Sequence, residues 1–316
     1  TLADTTETIA DAGRWIKRQN GAALLIVMIF VFSGLLLKVD QIKAGLRDVQ
    51  GTLLALTLIF VVAPLLAYAM SGLPIEAGVA VGLILVAVMP TTLSSGVVMT
   101  ASAGGNMAHA LFITIVSNTL AVFTIPLTLP LLAGALMAGN IVPIDKLALM
   151  MRLAVIVMLP LLIGFGVKIW INRTGRFQHF HRAEKPLQVI NQCAILVIVW
   201  MAAAQSRPTI LASGSTIWAV VALSFLFHLA LLAAAGLIIW LFKVERGRRE
   251  SIIFMGGQKT LALAIVLQVS LFPQYGQALV FCVVHHFIHL IMDGFVVERL
   301  RHRQPGPMAV GRCASK

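Results

Sequence analysis

The chain has 316 residues, of which 59% are hydrophobic and only 11% are charged. This balance excludes an ordinary soluble domain and predicts a protein that crosses a membrane several times. The formal net charge is +12, which in a soluble chain would suggest binding to nucleic acid. Here the basic residues cluster in the connectors between apolar stretches, so we expect the lipid bilayer as a partner and no nucleic acid.

Nine apolar stretches predict nine membrane spans. A polar segment, residues 1–20, precedes the first stretch, and a basic tail, residues 299–316, follows the last. Because the connectors are short, we expect a single all-α bundle without a soluble domain. In chain order, the stretches lie at about residues 21–38, 51–70, 75–102, 106–136, 146–171, 187–206, 215–243, 248–271 and 275–298.

The lysine and arginine residues are unevenly distributed between alternate connectors. Most of the 24 lie on the side that contains residues 38–47, 168–185 and 243–249 and the C-terminal tail. The positive-inside rule assigns this side to the cytoplasm. We therefore expect a cytoplasmic C-terminus and an extracytoplasmic segment at residues 1–20.

The third stretch is interrupted near its middle by Pro90, which lacks a backbone N–H and disrupts the preceding helical turn. Hydroxyl side chains follow the proline where backbone carbonyls lose their partners. Such oxygens suit a small cation, and half-helix N-termini suit an anion. The alternative is a kinked helix whose hydroxyls bond back to their own turn. The candidate binding residues here are Pro90, Thr91, Thr92, Ser94 and Ser95.

The eighth stretch is interrupted in the same way. Gly256 and Gly257 favour a break in the helix, and Gln258, Lys259 and Thr260 follow. A lysine at this depth costs about 2.5–3.5 kcal/mol on insertion scales, so it is expected to line a cavity rather than lipid. Two interrupted spans, one in each half of the chain, indicate the central site of a transporter.

Polar residues in the fourth stretch are further candidates. Asn106 opens the stretch, and Thr114 and Asn118 lie four residues apart and therefore on one helix face. They could complete a site at the first break. The alternative is that they hold neighbouring helices together, as such residues commonly do in membranes.

The last stretch contains His285, His286, His289 and Asp293. A metal site is conceivable, but hydrogen bonding to neighbouring helices is the favoured interpretation of this cluster. The sequence has no set of nucleophile, histidine and carboxylate, and no phosphate-binding glycine loop. We therefore expect that the chain is not an enzyme and needs no cofactor.

The positions of the two breaks suggest an internal repeat. Each broken span is followed by one further span, so residues 21–136 and 146–298 are expected to be equivalent repeats. The second has five predicted spans and the first only four. We therefore expect that one N-terminal span is missing, and that the complete fold consists of two five-span repeats, the second inverted because the number of spans in a repeat is odd.

The chain resembles the bile acid:sodium symporter family, in particular its outlying bacterial symporter-like branch, over about residues 21–298. Three motifs carry the resemblance: Phe-Ser-Gly-Leu-Leu-Leu-Lys at 32–38, Met-Pro-Thr-Thr-Leu-Ser-Ser-Gly-Val-Val-Met-Thr at 89–100 with Gly-Asn at 105–106, and Gly-Gly-Gln-Lys at 256–259. The resemblance implies a panel domain and a core domain, with the broken helices crossing in the core and sodium sites beside the crossing. This fold is related to that of cation/proton antiporters.

The resemblance also implies a candidate sodium site, because Ser95, Thr114 and Gln258 fall where the family has sodium ligands. Two departures make the site more positive. Phe254 stands where the family has a glutamate, and Lys259 stands where it has an asparagine. We hypothesise that the Lys259 ammonium occupies a vacated cation position, or that it titrates to couple proton movement.

These observations predict a secondary active transporter of a small organic anion, working by alternating access in a bacterial inner membrane. The expected coupling ion is sodium or a proton. One alternative is a cation/proton antiporter of the same fold, although the spans lack the paired aspartates that antiporters use. A second alternative is a non-transporting membrane regulator of ion homeostasis. The oligomeric state is not predicted.

Overall fold

The computed structural model describes residues 11, 21–36, 48–92, 94–136, 144–174, 177–212, 214 and 216–302. Over these residues the chain is helical and contains no strand, as predicted. The N-terminal segment lies outside the described residues apart from residue 11, and the tail lies outside them beyond residue 302. The helices are α1 Gly21–Leu36, α2 Val49–Ser71, α3 Ala77–Val88, α4 Ser95–Ser102, α5 Met107–Leu136, α6 Lys146–Arg173, α7 Phe177–Ala212, α8 Thr216–Leu241, α9 Arg248–Gly257, α10 Leu261–Leu271 and α11 Gly276–His302.

Each of the nine predicted stretches corresponds to one helix or to a pair of short helices. Within the described residues, six stretches of helix are long and apolar enough to cross a membrane, one of them formed by α9 and α10 together. The α1 and α3 helices are shorter but apolar. Trp218 and Trp240 lie near opposite ends of α8 with about three quarters of their surface exposed, as expected for anchors at the two membrane interfaces.

The first break separates α3 from α4. The α3 helix ends at Val88 because Pro90 has no N–H to donate to the carbonyl of Val86, and the N–H of Met89 bonds to that carbonyl instead at 3.2 Å. Residues 89–92 are therefore extended or irregular. The predicted interruption at the proline is present.

The second break separates α9 from α10. Both Gly256 and Gly257 are helical, and the chain becomes extended at Gln258 (φ −77°, ψ 143°), one residue later than the glycines suggested. Gly256 matters for packing, since a β-carbon there would collide with the side chain of Leu58 on α2.

Two groups of helices pack within the bundle. In one group, α1 packs along α6 and α7. Gly34 and Gly164 allow this approach, because a β-carbon on either would collide with the backbone of the other helix. In the other group, α3 packs on α11 and α8 packs on α9 and α11. The division of the chain into two inverted repeats stays a prediction.

One end of the bundle is held by a polar network, which we call the end clamp. Asp48 caps α2 by accepting a hydrogen bond from the N–H of Gly51, and it also accepts two hydrogen bonds of 2.5 Å from Arg248 at the start of α9. The N–H of Asn106 donates to the carbonyl of Gly247 at 2.7 Å. The clamp thus fixes the starts of α2, α5 and α9 to one another.

Candidate functional site

The two breaks lie against each other, and we call residues 89–92 and 258–260 together the crossing. The N–H of Thr260 donates to the carbonyl of Pro90 at 3.0 Å, and its hydroxyl donates to the carbonyl of Thr91 at 2.6 Å. Each break therefore supplies partners for backbone groups that the other leaves free. The two distant stretches predicted from the sequence meet at one buried place.

Gln258 lies at the centre of the crossing and is fully buried. Its side-chain oxygen accepts hydrogen bonds from Thr92 at 2.9 Å and from Ser95 at 2.8 Å. Its side-chain nitrogen donates to Asp293 on α11 at 2.8 Å. The amide thus connects the hydroxyl groups of the first break to a buried carboxylate.

The side chain of Lys259 contacts backbone carbonyls and not the Gln258 amide. Its side-chain nitrogen donates to the carbonyls of Ile59 at 3.0 Å, Ala87 at 3.1 Å and Met89 at 3.2 Å. Only 2% of the residue is exposed. Within the described residues no carboxylate forms an ion pair with it, so its partners there are carbonyl dipoles.

The structure places the three candidates of α5 differently. Asn118 lies at the crossing, where its side-chain nitrogen donates to the carbonyl of Thr91 at 3.2 Å. The hydroxyl of Thr114 donates to the carbonyl of Ala110 in its own helix. Asn106 lies at the end clamp, where its side chain caps α5 by accepting from the N–H of His109.

The candidate sodium ligands are only partly assembled. Ser95 and Gln258 are in direct contact, whereas Thr114 bonds within its own helix. Two other buried oxygens, Oγ1 of Thr91 and Oδ1 of Asn118, have no hydrogen-bond partner among the described residues. Hard, neutral oxygens of this kind suit a small cation. The oxygen ligands available near the crossing are therefore of the chemical type that binds sodium.

Asp293 connects the crossing to a cluster of histidines. Its carboxylate, fully buried, lies 2.9 Å from Nε2 of His228 on α8. The rings of His285 and His289 pack within 6 Å of the His228 ring, and His286 packs on His289. Asp293 hydrogen-bonds to neighbouring helices, as the favoured interpretation of this cluster predicts. The interpretation does not extend to His289, because neither of its ring nitrogens has a hydrogen-bond partner among the described residues. Among the described residues, no three histidine, cysteine, aspartate or glutamate side chains are placed so that they could hold a metal ion together.

A cavity of about 480 Å³ lies beside the crossing. Its walls are mostly apolar, and its polar lining consists of Ser94 and of residues on one stretch of α7. Gln192 on α7 donates to the hydroxyl of Ser94 at 2.8 Å. The polar lining residues are Ser94, Gln188, Asn191, Gln192 and Cys193.

Four residues contribute to this region although the sequence did not assign them to the site. Asp293 was noticed, but its bond to Gln258 depends on how α11 packs. Asn191 and Gln192 gave the only local signal for the α7 wall, as two amides in an apolar span. Ile59 contributes through its carbonyl alone, and the available signal was the nearby Pro64.

A family profile matches residues 1–302, and its description is the SBF-like CPA transporter family. The chain belongs to this family. The predicted relationship to bile acid:sodium symporters is confirmed, and the family consists of transporters rather than enzymes. Together with the apolar helices, membership makes the chain a multi-pass membrane protein.

Curated relatives of the chain have names that agree with this family. The chain is 29% identical to the probable sodium/metabolite cotransporter BASS4, chloroplastic, of Arabidopsis thaliana, over 85% of this chain and 64% of that protein. It is 26% identical to the sodium/bile acid cotransporter 7-B of Xenopus laevis, over 93% of this chain and 86% of that protein. It is also 26% identical to the uncharacterized sodium-dependent transporter YocS of Bacillus subtilis (strain 168), over 92% of this chain and 87% of that protein.

Proposed function

We propose that the chain is a secondary active transporter of a small organic anion, working by alternating access and driven by a cation. The observation that carries the proposal is the crossing itself. Two broken helices from distant parts of the chain meet in the bundle, and a cavity ends at Ser94 beside them. Transporter sites are built in this way, because broken helices expose backbone groups inside the membrane without exposing them to lipid.

The chemistry of the cavity supports an organic anion as the substrate. Its volume of about 480 Å³ is in the range of sites for small organic molecules. The apolar wall suits a hydrocarbon body, and the amide N–H groups of Gln188, Asn191 and Gln192 suit a carboxylate or sulfate. No charged side chain is found among the described residues of the lining. An anion there needs a co-bound cation to balance its charge.

Sodium is the favoured coupling ion, with a proton as the second candidate. The relatives with assigned names are called sodium cotransporters, and the YocS relative is called a sodium-dependent transporter. Oxygens that would hold sodium lie at Ser95, Thr91, Asn118 and Gln258. Bound there, sodium would supply positive charge beside the substrate. The proposed location is a bacterial inner membrane, with the C-terminus in the cytoplasm.

A cation/proton antiporter of the same fold is less well supported. An exchanged cation needs a carboxylate in its path, and the described lining of the cavity has none. Asp293 is bonded to His228 and Gln258 instead of facing the cavity residues. A non-transporting regulator is distinguished only by measurement of flux.

The test is a thermal-shift screen of the purified full-length protein in NaCl and in choline chloride of equal concentration. The probes are cholate, as a steroid acid, and pyruvate, as a small keto acid. A substrate stabilises the native state, so its melting temperature rises, and the rise should be larger in NaCl. Uptake of the positive compound into proteoliposomes, driven by a sodium gradient, then measures transport. Binding without uptake would contradict transport and favour the regulator.

A matched variant locates the binding site. Gln192→Leu removes an amide from the cavity wall, and Gln188→Leu removes a second amide one turn away. Both should reduce the ligand-induced shift without preventing folding, because both side chains are exposed in the cavity. Gln268→Leu, at the far end of α10, should leave the shift unchanged. An unchanged shift in both cavity variants would place the substrate elsewhere.

A further inference from the structure

Three backbone carbonyl oxygens converge on one buried point in the bundle. They belong to Ile59, Ala87 and Met89, and we call them the carbonyl cage. The side-chain nitrogen of Lys259 lies 3.0–3.2 Å from all three. Convergent carbonyls are a typical way to replace the water around a monovalent cation inside a membrane protein.

The Ile59 carbonyl is available because of Pro64. The α2 helix contains a wide turn at Leu58–Val62, in which the N–H of Ala63 bonds to the carbonyl of Leu58. In the same register the next N–H, at position 64, would bond to Ile59. Proline has no N–H, so the Ile59 carbonyl lacks a helical donor. It accepts from Lys259 instead.

The other two carbonyls are available because of Pro90. The carbonyls of Ala87 and Met89 lie where α3 ends, and the proline both removes a donor and stops the helix. Two prolines far apart in sequence thus create three free acceptors at one place. The cage consists of backbone oxygens alone, so the Lys259 side chain contributes none of its acceptors.

The number of contacts indicates the charge of the occupant. An ammonium has three N–H donors, and the three short contacts use all of them, whereas a neutral amine has only two. The three contacts therefore match a cation held by carbonyl dipoles, and no carboxylate pairs with this nitrogen among the described residues. Removing the side chain would leave three buried acceptors unpaired, which is costly.

We propose that the carbonyl cage is a monovalent-cation site and that Lys259 fills it as a tethered cation. The chain thereby carries, as a covalent part of α9–α10, a positive charge that a free ion would otherwise supply. The charge moves with the crossing and cannot dissociate. For the proposed function, this means that the cage contributes no free ion to the coupling stoichiometry, and this consequence alone depends on transport.

The test is the sodium response of the full-length Lys259→Ala variant. The protein is purified in NaCl and its melting temperature is compared in NaCl, KCl and choline chloride of equal concentration. The open cage should bind Na⁺ or K⁺, so the melting temperature should exceed that in choline by roughly 2 °C more than in the wild type, for a salt concentration about ten times the dissociation constant. Choline is too large for the cage and controls for ionic strength.

Two variants control for the loss of a lysine. Lys259→Gln keeps a donor for the cage, so it should fold and gain no cation response. Lys168→Ala removes another lysine that is 2% exposed, and this one donates to the Glu184 carboxylate at 3.2 Å. It should lose stability equally in sodium, potassium and choline.

The outcomes separate clearly. A cation response confined to Lys259→Ala supports the cage as a cation site. Equal melting temperatures of Lys259→Ala in all three salts overturn the proposal. Failure of Lys259→Ala to fold in NaCl, while Lys259→Gln folds, also overturns it, because an open cation site would be filled under those conditions. These are binding measurements, so a negative uptake experiment would contradict the proposed function and leave this result unaffected.

Discussion

Gln258 is the residue on which the polar contacts of the crossing converge. Its amide accepts hydrogen bonds from Thr92 and Ser95 of the first break and donates one to Asp293 on α11. Gln258 thus connects three distant segments of the chain. Gln258→Leu would leave a buried carboxylate without one of its donors. We expect a loss of about 2 kcal/mol or more in stability, since unpaired buried polar groups are costly, together with loss of uptake.

A matched substitution separates stability from function. Gln268 is also buried, in α10, and donates to the carbonyls of Phe272 and Tyr275 where that helix ends. Gln268→Leu should lower the melting temperature but retain uptake per folded molecule. The measurement is uptake into proteoliposomes, normalised to the folded fraction. Retained uptake in Gln258→Leu would exclude a role for the amide in transport.

At the residue scale, the sequence identified the polar residues but not their partners. Gln258 and Lys259 are conspicuous because polar groups are rare in apolar spans. Their hydrogen-bond partners differ, because Gln258 contacts a carboxylate and Lys259 contacts the carbonyl cage. These partners depend on how α2, α3 and α11 pack around the two residues. The carbonyl of Ile59 could not be identified from residue types, since every residue has a carbonyl and only the register relative to Pro64 makes this one free.

At the scale of helices, the contact between α1 and α6 depends on glycine. A β-carbon at Gly164 would collide with the carbonyl of Val31 on α1, whereas a β-carbon at Gly166 would meet nothing within 4 Å. Gly164→Ala should therefore destabilise the protein by about 1–3 kcal/mol. Gly166→Ala, in the same helix, should be neutral or slightly stabilising because alanine favours the helix. Thermal unfolding in detergent measures both, and equal melting temperatures would contradict the close packing.

The end clamp predicts a pH dependence of stability. Burial raises the pKa of Asp48, but the hydrogen bond from Arg248, the Gly51 N–H and nearby positive charge outweigh burial and hold the pKa below its ordinary value of 3.8. A lowered pKa in the folded state stabilises the protein above the unfolded value, and this contribution is lost as the pH falls through the folded value. The wild type should therefore exceed Asp48→Asn in melting temperature at neutral pH, and the difference should shrink below about pH 4.

Asp145→Asn is the control for the clamp. Asp145 caps α6 by accepting from the N–H groups of Leu147 and Ala148, and no ion pair of its side chain is found among the described residues. Its replacement should cost about 1 kcal/mol or less, since asparagine also caps helices well. A cost at neutral pH as large as that of Asp48→Asn would show that capping, and not the contact with Arg248, accounts for the effect.

The helices themselves were largely predictable, because long apolar stretches and two interruptions are local signals. Pro90 set the end of α3 at almost the expected residue. The second break came one residue later than Gly257, since glycine permits a break without requiring one. The contact between the breaks followed only from the resemblance, and the resemblance did not predict that α7 would supply amides to a cavity at Ser94.

At the scale of the whole molecule, the charge pattern and the structure indicate the same end of the bundle. The starts of α2, α5 and α9 meet in the end clamp, next to connectors rich in lysine and arginine. The lining of the cavity includes Leu36, the last residue of α1, and Met107, the first residue of α5. The cavity therefore extends from the crossing toward the end that the positive-inside rule assigns to the cytoplasm.

Cysteine labelling tests this orientation. Cys193 lines the cavity and is exposed, whereas Cys282 is buried in α11. In a variant with Cys282→Ala and Cys313→Ser, a membrane-impermeant maleimide should label Cys193 in inside-out vesicles and much more slowly in right-side-out vesicles. A control for the opposite face of the membrane also replaces Cys193 and adds Glu76→Cys. Glu76 is exposed at the start of α3, at the end of the bundle opposite the end clamp. Labelling of Cys193 that is equally fast from both sides would contradict a cavity open to the cytoplasm.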